Sequence, residues 1–143
     1  MNDEYINFLS TEEKYIFVKI FCRMVKADNR IASEELTFLK SIALKFGIDN
    51  ASLVNIVKTA NSIDCIEEAK KISKRTAALE LIKELCVLAN IDEDLEDGEL
   101  DIIIDIARAM DIEDEKVLLI NRWVLDNIVL AKAGRIILEK DNG

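Results

Sequence analysis

Asp92, Glu93, Asp94, Glu96, Asp97, Glu99 and Asp101 place seven carboxylates within ten residues. At that density the charges repel one another unless something positive lies among them. An all-oxygen donor set of this kind suits hard divalent cations. Ca²⁺ or Mg²⁺ is therefore the candidate ion, with Asp92, Asp94, Asp97 and Glu99 as the principal ligands. The spacing is not that of an EF-hand. With Asp92 as the first loop position, Asp97 stands where glycine is required and Ile103 where the bidentate glutamate is required. A milder corner lies upstream, where Asp28, Ile31 and Glu35 repeat the spacing of Asp92, Leu95 and Glu99. In both, the aspartate follows a helix and can accept from N–H groups of its own turn. The apolar residue three positions on enters the core, and the glutamate falls in the first turn of the next helix, where a carboxylate suits the dipole. Two uses stay open: capping groups on a solvated acidic face, or a site for a divalent cation or a basic partner.

Other chemistry is poorly served. The chain has no histidine, which removes the commonest general base and the commonest transition-metal ligand. A nucleophilic cysteine or serine would lack its base. The paired carboxylates have no aromatic sugar platform near them in sequence, and the four glycines are isolated, so no loop cradles phosphate. The expectation is a protein that is not an enzyme and has no resident organic cofactor. Residues 92–115 hold twelve acids and one base, Arg108, so the net charge of −9 originates in that one segment. Such a chain repels phosphates and selects against nucleic acid; it favours a cation or a protein partner with a basic surface. The odd number of cysteines, three, fits a reducing cytoplasm, and no apolar run reaches the ~18 residues of a membrane span. Cys22 and Cys86 read as small core residues, and Cys65, near a helix start, is the more reactive candidate.

The elements that must position these groups are helical. The 143-residue chain contains no proline and shows no sustained period-two pattern. It matches itself at an offset of 64, where Phe21–Ile56 falls on Leu85–Ile120 without a gap. The expected architecture is all-α: one domain over 1–143, a compact bundle of about seven helices with pseudo-two-fold symmetry. Repeat 1 covers about 11–62 and repeat 2 about 75–130. Ser10–Glu13 and Asp64–Glu67 are capping boxes, and Ser33, Asp49 and Asp97 mark further helix starts. Tyr5 to Leu9 is expected to pack as a helical turn. Gly47 ends the second helix as a C-cap, whose buried stripe is Leu36, Leu39, Ala43 and Phe46. Trp123 falls on the apolar stripe of the last helix and is expected in the core. Phe8, Phe17, Phe21, Phe38 and Phe46 are likewise expected to pack. Gly134 is expected to weaken or bend the chain before a final docked turn at Arg135–Leu138. The cations Lys70, Lys71, Lys74 and Arg75 suit the end of a short helix.

At the two corners the chain resembles the TerB-like family, the domain of tellurite-resistance protein B, whose signature is a twice-repeated Ala-Asp-Gly, any residue, an apolar residue and a nearby glutamate. Ala27-Asp28-Asn29-Arg30-Ile31-Ala32-Ser33-Glu34-Glu35 matches with Asn29 in place of glycine, a residue that tolerates the same left-handed backbone. Ile91-Asp92-Glu93-Asp94-Leu95-Glu96-Asp97-Gly98-Glu99 keeps the aspartate, the apolar position and the glutamate, and departs at the alanine and the glycine. The resemblance covers about residues 11–130. It implies a helical bundle and a bacterial, cytoplasmic protein linked to stress or membrane-associated complexes, without established catalysis. It also implies a divalent-metal site carried here by Asp28 with Glu35 and Asp92 with Glu99.

Overall fold

The computed structural model describes residues 4–25, 33–90 and 97–141. Within them the chain forms seven α-helices: α1 (Thr11–Val25), α2 (Ser33–Phe46), α3 (Asn50–Thr59), α4 (Cys65–Ala69), α5 (Arg75–Ala89), α6 (Asp97–Ala109) and α7 (Asp114–Asp141). Single 3-10 turns occupy Glu4–Phe8 and Ala60–Ser62, and among the described residues there is no strand. Thr11 and Arg75, Ser33 and Asp97, and Asn50 and Asp114, which open three pairs of helices, all lie 64 residues apart.

Local chemistry explains the boundaries. Ser10 and Glu13 form a reciprocal capping box ahead of α1: the Ser10 N–H donates to Glu13 Oε1 at 2.8 Å and the Glu13 N–H to Ser10 Oγ at 3.1 Å. Asp49 Oδ1 accepts from the Ser52 N–H at 2.7 Å, and Asp64 Oδ1 from Ile66 and Glu67 at 3.0 and 3.2 Å. Each such cap is worth about 1 kcal/mol. The Glu67 side chain turns away from its expected box and meets Lys70 at 3.0 Å. Helices α2 and α6 end alike. Gly47 (φ 71°) and Asp111 (φ 59°) take the left-handed conformation. The N–H groups of Ile48 and Ile112 then reach back five residues to the carbonyls of Ala43 and Ala107, both at 2.9 Å. Ile48 and Ile112 bury their side chains as the chain reverses.

The core lies between α1 and α5, which pack on each other and collect the remaining helices. Phe17 and Phe21 of α1, Leu39 of α2, Leu81, Ile82 and Leu85 of α5, Ile103 and Ile106 of α6, and Val117 and Val124 of α7 are fully buried. Phe17 joins Tyr5, Phe21 and Phe46 through ring centroids 6.0–6.5 Å apart, and Phe38 meets Phe21 edge-on at 5.6 Å. Tyr5 and Leu9 anchor the first 3-10 turn in this core.

Three expectations fail on the outer side of the bundle. Phe8 is 78% exposed and Trp123 49% exposed, so neither is core. The stripe that carries Trp123 lies on the side of α7 that packs on no other helix among the described residues. Leu36, one turn before Leu39, also stands at the surface. The fourth concerns Gly134, which does not bend the chain: α7 runs through it to Asp141, because a glycine keeps a helix when its neighbours favour one.

Candidate functional site

Helices α2 and α6 begin at the two acidic corners, and the sequence-derived candidates divide there. Asp28, Asp92 and Asp94 lie outside the described residues, as does the side chain of Asp97, although Asp97 itself opens α6. Glu35 and Glu99 occupy matching first-turn positions of α2 and α6; both are half-buried, and neither is a free carboxylate. Among the described residues no group of three or more Asp, Glu, Cys or His side chains assembles as a metal cluster.

The rest of the acidic segment is better defined. Asp101 and Asp105 are exposed on the outer face of α6. Arg108, the one base between residues 92 and 115, reaches across the α6–α7 corner. Its Nε and Nη2 donate to the two carboxylate oxygens of Asp114 at 3.0 and 2.6 Å, a fork-on-fork pairing that fixes both side chains. Asp105, three residues before Arg108 on α6, lies farther off at 3.8 Å. The hydrogen bond from Arg108 holds the Asp114 carboxyl below the usual carboxylate range. A second clamp ties the same corner to α5: Arg75 donates to Glu113 at 2.9 Å and to the Asp111 carbonyl at 3.4 Å, which lowers the Glu113 pKa in the same way. The cations Lys70 and Lys71 are taken up by Glu67 and Glu68 one turn back.

A charged cluster missed by sequence reasoning sits inside the bundle. Lys83 and Glu84 are neighbours on α5, and each is only 7% exposed. The Lys83 ammonium lies 2.7 Å from Glu80 Oε2, 3.5 Å from Glu84 Oε1 and 4.5 Å above the Tyr5 ring. The Tyr5 hydroxyl donates to Glu84 Oε1 at 3.2 Å. Salt bridge, cation–π contact and hydrogen bond thus fasten the N-terminal turn to α5. A signal was present: charges in the run Leu79-Glu80-Leu81-Ile82-Lys83-Glu84-Leu85 fall on successive faces, so a helix covered all round must bury some of them. Beside this cluster, Glu4, Phe8, Lys74, Thr76 and Glu80 line a half-open cavity of about 530 Å³.

The cysteines are inert. Cys22 and Cys86 are fully buried, and burial pushes the Cys86 thiol up to about 12. The Cys65 thiol rises to about 11, chiefly through burial and against the pull of Arg23. It is therefore no ready nucleophile at neutral pH, contrary to its place near a helix start.

Among known proteins, the model of the family described as Tellurite resistance protein TerB matches residues 18–121, a span from α1 into α7 that includes both acidic corners. No curated protein and no solved structure matches the chain.

Proposed function

The chain belongs to the TerB family, and on that premise we propose that it is a non-enzymatic, tellurite-resistance-related binding module whose acidic face docks a protein partner through a basic surface. The observation that carries this reading is the state of the charges on α6 and its corner. Asp101 and Asp105 point to solvent, while Arg108 is committed to Asp114 across the corner. The outer face of α6 therefore presents a negative field that a basic surface can satisfy. Inert thiols and the missing histidine support a binding role over a catalytic one. Free cysteines suit a reducing bacterial cytoplasm, and among the described residues no helix is long and apolar enough to cross a membrane.

The test is a titration of the full chain with a labelled Lys/Arg-rich peptide at low and at physiological salt. Binding that weakens with salt, and that Asp101→Lys/Asp105→Lys abolishes without unfolding the chain, supports docking. No binding at low salt, or equal binding by the double variant, contradicts it.

A divalent cation at the second corner is the second reading, and the donor chemistry supports it: Asp92, Asp94, Asp97 and Glu99 supply carboxylate oxygens only. Asp28 and Glu35 are their counterparts at the first corner. Such an ion would compete with the contacts that Glu35 and Glu99 already make. Ca²⁺ or Mg²⁺ at 100 times its dissociation constant should add about 2.7 kcal/mol over the chain in EDTA, and Asp92→Asn/Glu99→Gln should remove that gain. The absence of a shift with either ion sinks this reading and leaves the docking proposal standing.

A further inference from the structure

Helix α7 carries apolar residues on two sides, and among the described residues only one side is packed. Val117, Val124 and Ile128 face the core. Leu119, Trp123, Leu130 and Ile137 recur at i, i+4, i+11 and i+18 on the side away from the bundle and are all exposed, Leu130 at 71%. A helix that is apolar nearly all round belongs between two neighbours. Gly134 falls on this outer stripe, at i+15. It has no positive φ, and a Cβ added there meets nothing within 4 Å. Its own chain thus gives no reason for a glycine that weakens the helix relative to alanine. Close approach of another molecule does.

We propose that this face is the contact of a two-fold dimer of the chain, in which α7 packs antiparallel against α7 of a second copy and each Trp123 seats in the notch left by the partner's Gly134. The face is self-complementary, as a two-fold contact must be. Trp123 and Gly134 lie about 16 Å apart along the helix, and their midpoint falls between Ile128 and Val129. The midpoint of Leu119 and Ile137 falls on Ile128. One two-fold axis therefore sets bulk on notch twice and brings Leu119 opposite Ile137, with Leu130 beside the axis. Charge points to the same face. The chain carries −9 overall, whereas Val117–Leu138 holds three cations and one acid, and that acid, Asp126, is paired with Arg122 at 3.4 Å. Two copies can meet here away from the acidic segment that carries the chain's negative charge. With Leu138 at its edge, the face offers five exposed apolar side chains of on the order of 100 Å² each. A symmetric pair hides roughly 1,000 Å², about the minimum for a specific interface.

The test is sedimentation equilibrium of the full chain across a wide concentration range, with the emission of Trp123, the one tryptophan, followed in parallel. The expected result is a shift from 16.2 kDa to twice that mass, with a blue shift of the emission as the dimer forms. Gly134→Leu fills the notch while favouring the helix, so it should weaken the dimer at least tenfold and leave the circular dichroism of the monomer unchanged. Leu130→Glu should do the same by placing a charge beside the axis. A chain that stays monomeric at millimolar concentration overturns the proposal, as does a dimer that neither substitution weakens or whose formation leaves the tryptophan emission unmoved. A monomer that instead takes Trp123 into phosphatidylglycerol vesicles assigns the face to lipid and equally overturns it.

Discussion

Replacing Lys83 with methionine isolates the buried charge cluster. Methionine keeps the length and the apolar stem of the side chain and removes the ammonium. That ammonium is the cation within 2.7 Å of Glu80 and 3.5 Å of Glu84, and it stacks on Tyr5 at 4.5 Å. Glu80 is one-third exposed and can be rehydrated after the change. Glu84, at 7% exposure, is far less open to water; it keeps the Tyr5 hydroxyl and loses the ammonium 3.5 Å away. Removing one partner of a buried pair costs about 3–5 kcal/mol. The rehydration of Glu80 puts the expected loss near the lower limit, about 3 kcal/mol, or roughly 6–12 °C in Tm. Urea unfolding at neutral pH followed by circular dichroism measures it. Lys83→Met/Glu84→Gln should recover much of the loss, giving a coupling of at least about 1 kcal/mol in the double-mutant cycle. A single variant within about 0.5 kcal/mol of the parent, or a cycle without coupling, refutes the claim that the ammonium answers Glu84.

Three further outcomes are expected. Gly47→Ala forces a side chain into the left-handed region and should cost about 1–2 kcal/mol, whereas Asp111→Gly relieves the same strain and should raise stability by up to about 1 kcal/mol; both are read from urea midpoints. Asp114 and Glu113 have carboxyls held below their ordinary values by Arg108 and Arg75, so their stabilisation is present above the ordinary carboxylate range and is lost as pH falls through the depressed values. Arg108→Gln and Arg75→Gln should accordingly flatten the acid limb of a Tm-against-pH curve. With the Cys65 and Cys86 thiols raised to about 11 and about 12, a disulfide-exchange reagent at pH 8 should label the native chain far more slowly than the chain in urea.

Much of the helical framework was legible because its signals are local. The Ser10–Glu13 box, the Asp49 and Asp64 caps and Gly47 act within one turn of themselves, and the structure places them at helix ends. Cys22 and Cys86 are buried as their apolar surroundings suggested. What escaped depends on neighbours distant in sequence. Lys83 and Glu84 look like surface residues by type, and they are buried because α5 is wrapped by α1, α6, α7 and the N-terminal turn. Trp123 shows the converse: its apolar stripe is real, but the bundle lies on the other side of α7. Asp111 takes the left-handed role that Gly47 fills in α2; aspartate visits that region only occasionally, so it signals the turn more weakly than glycine does. For the acidic corners, the positions of Glu35 and Glu99 in first turns were readable from helix-start signals. Asp28, Asp92 and Asp94 lie outside the described residues, and spacing alone does not encode their convergence on these glutamates.

The most direct test of the docking reading is a map of backbone amide shifts in the full chain on addition of a Lys/Arg-rich peptide. Changes are expected to concentrate along the outer face of α6 around Asp101 and Asp105 and at the α6–α7 corner, fading as salt rises. Changes scattered over the surface, or centred on α3 and the cavity beside Phe8 with α6 unmoved, would contradict that reading.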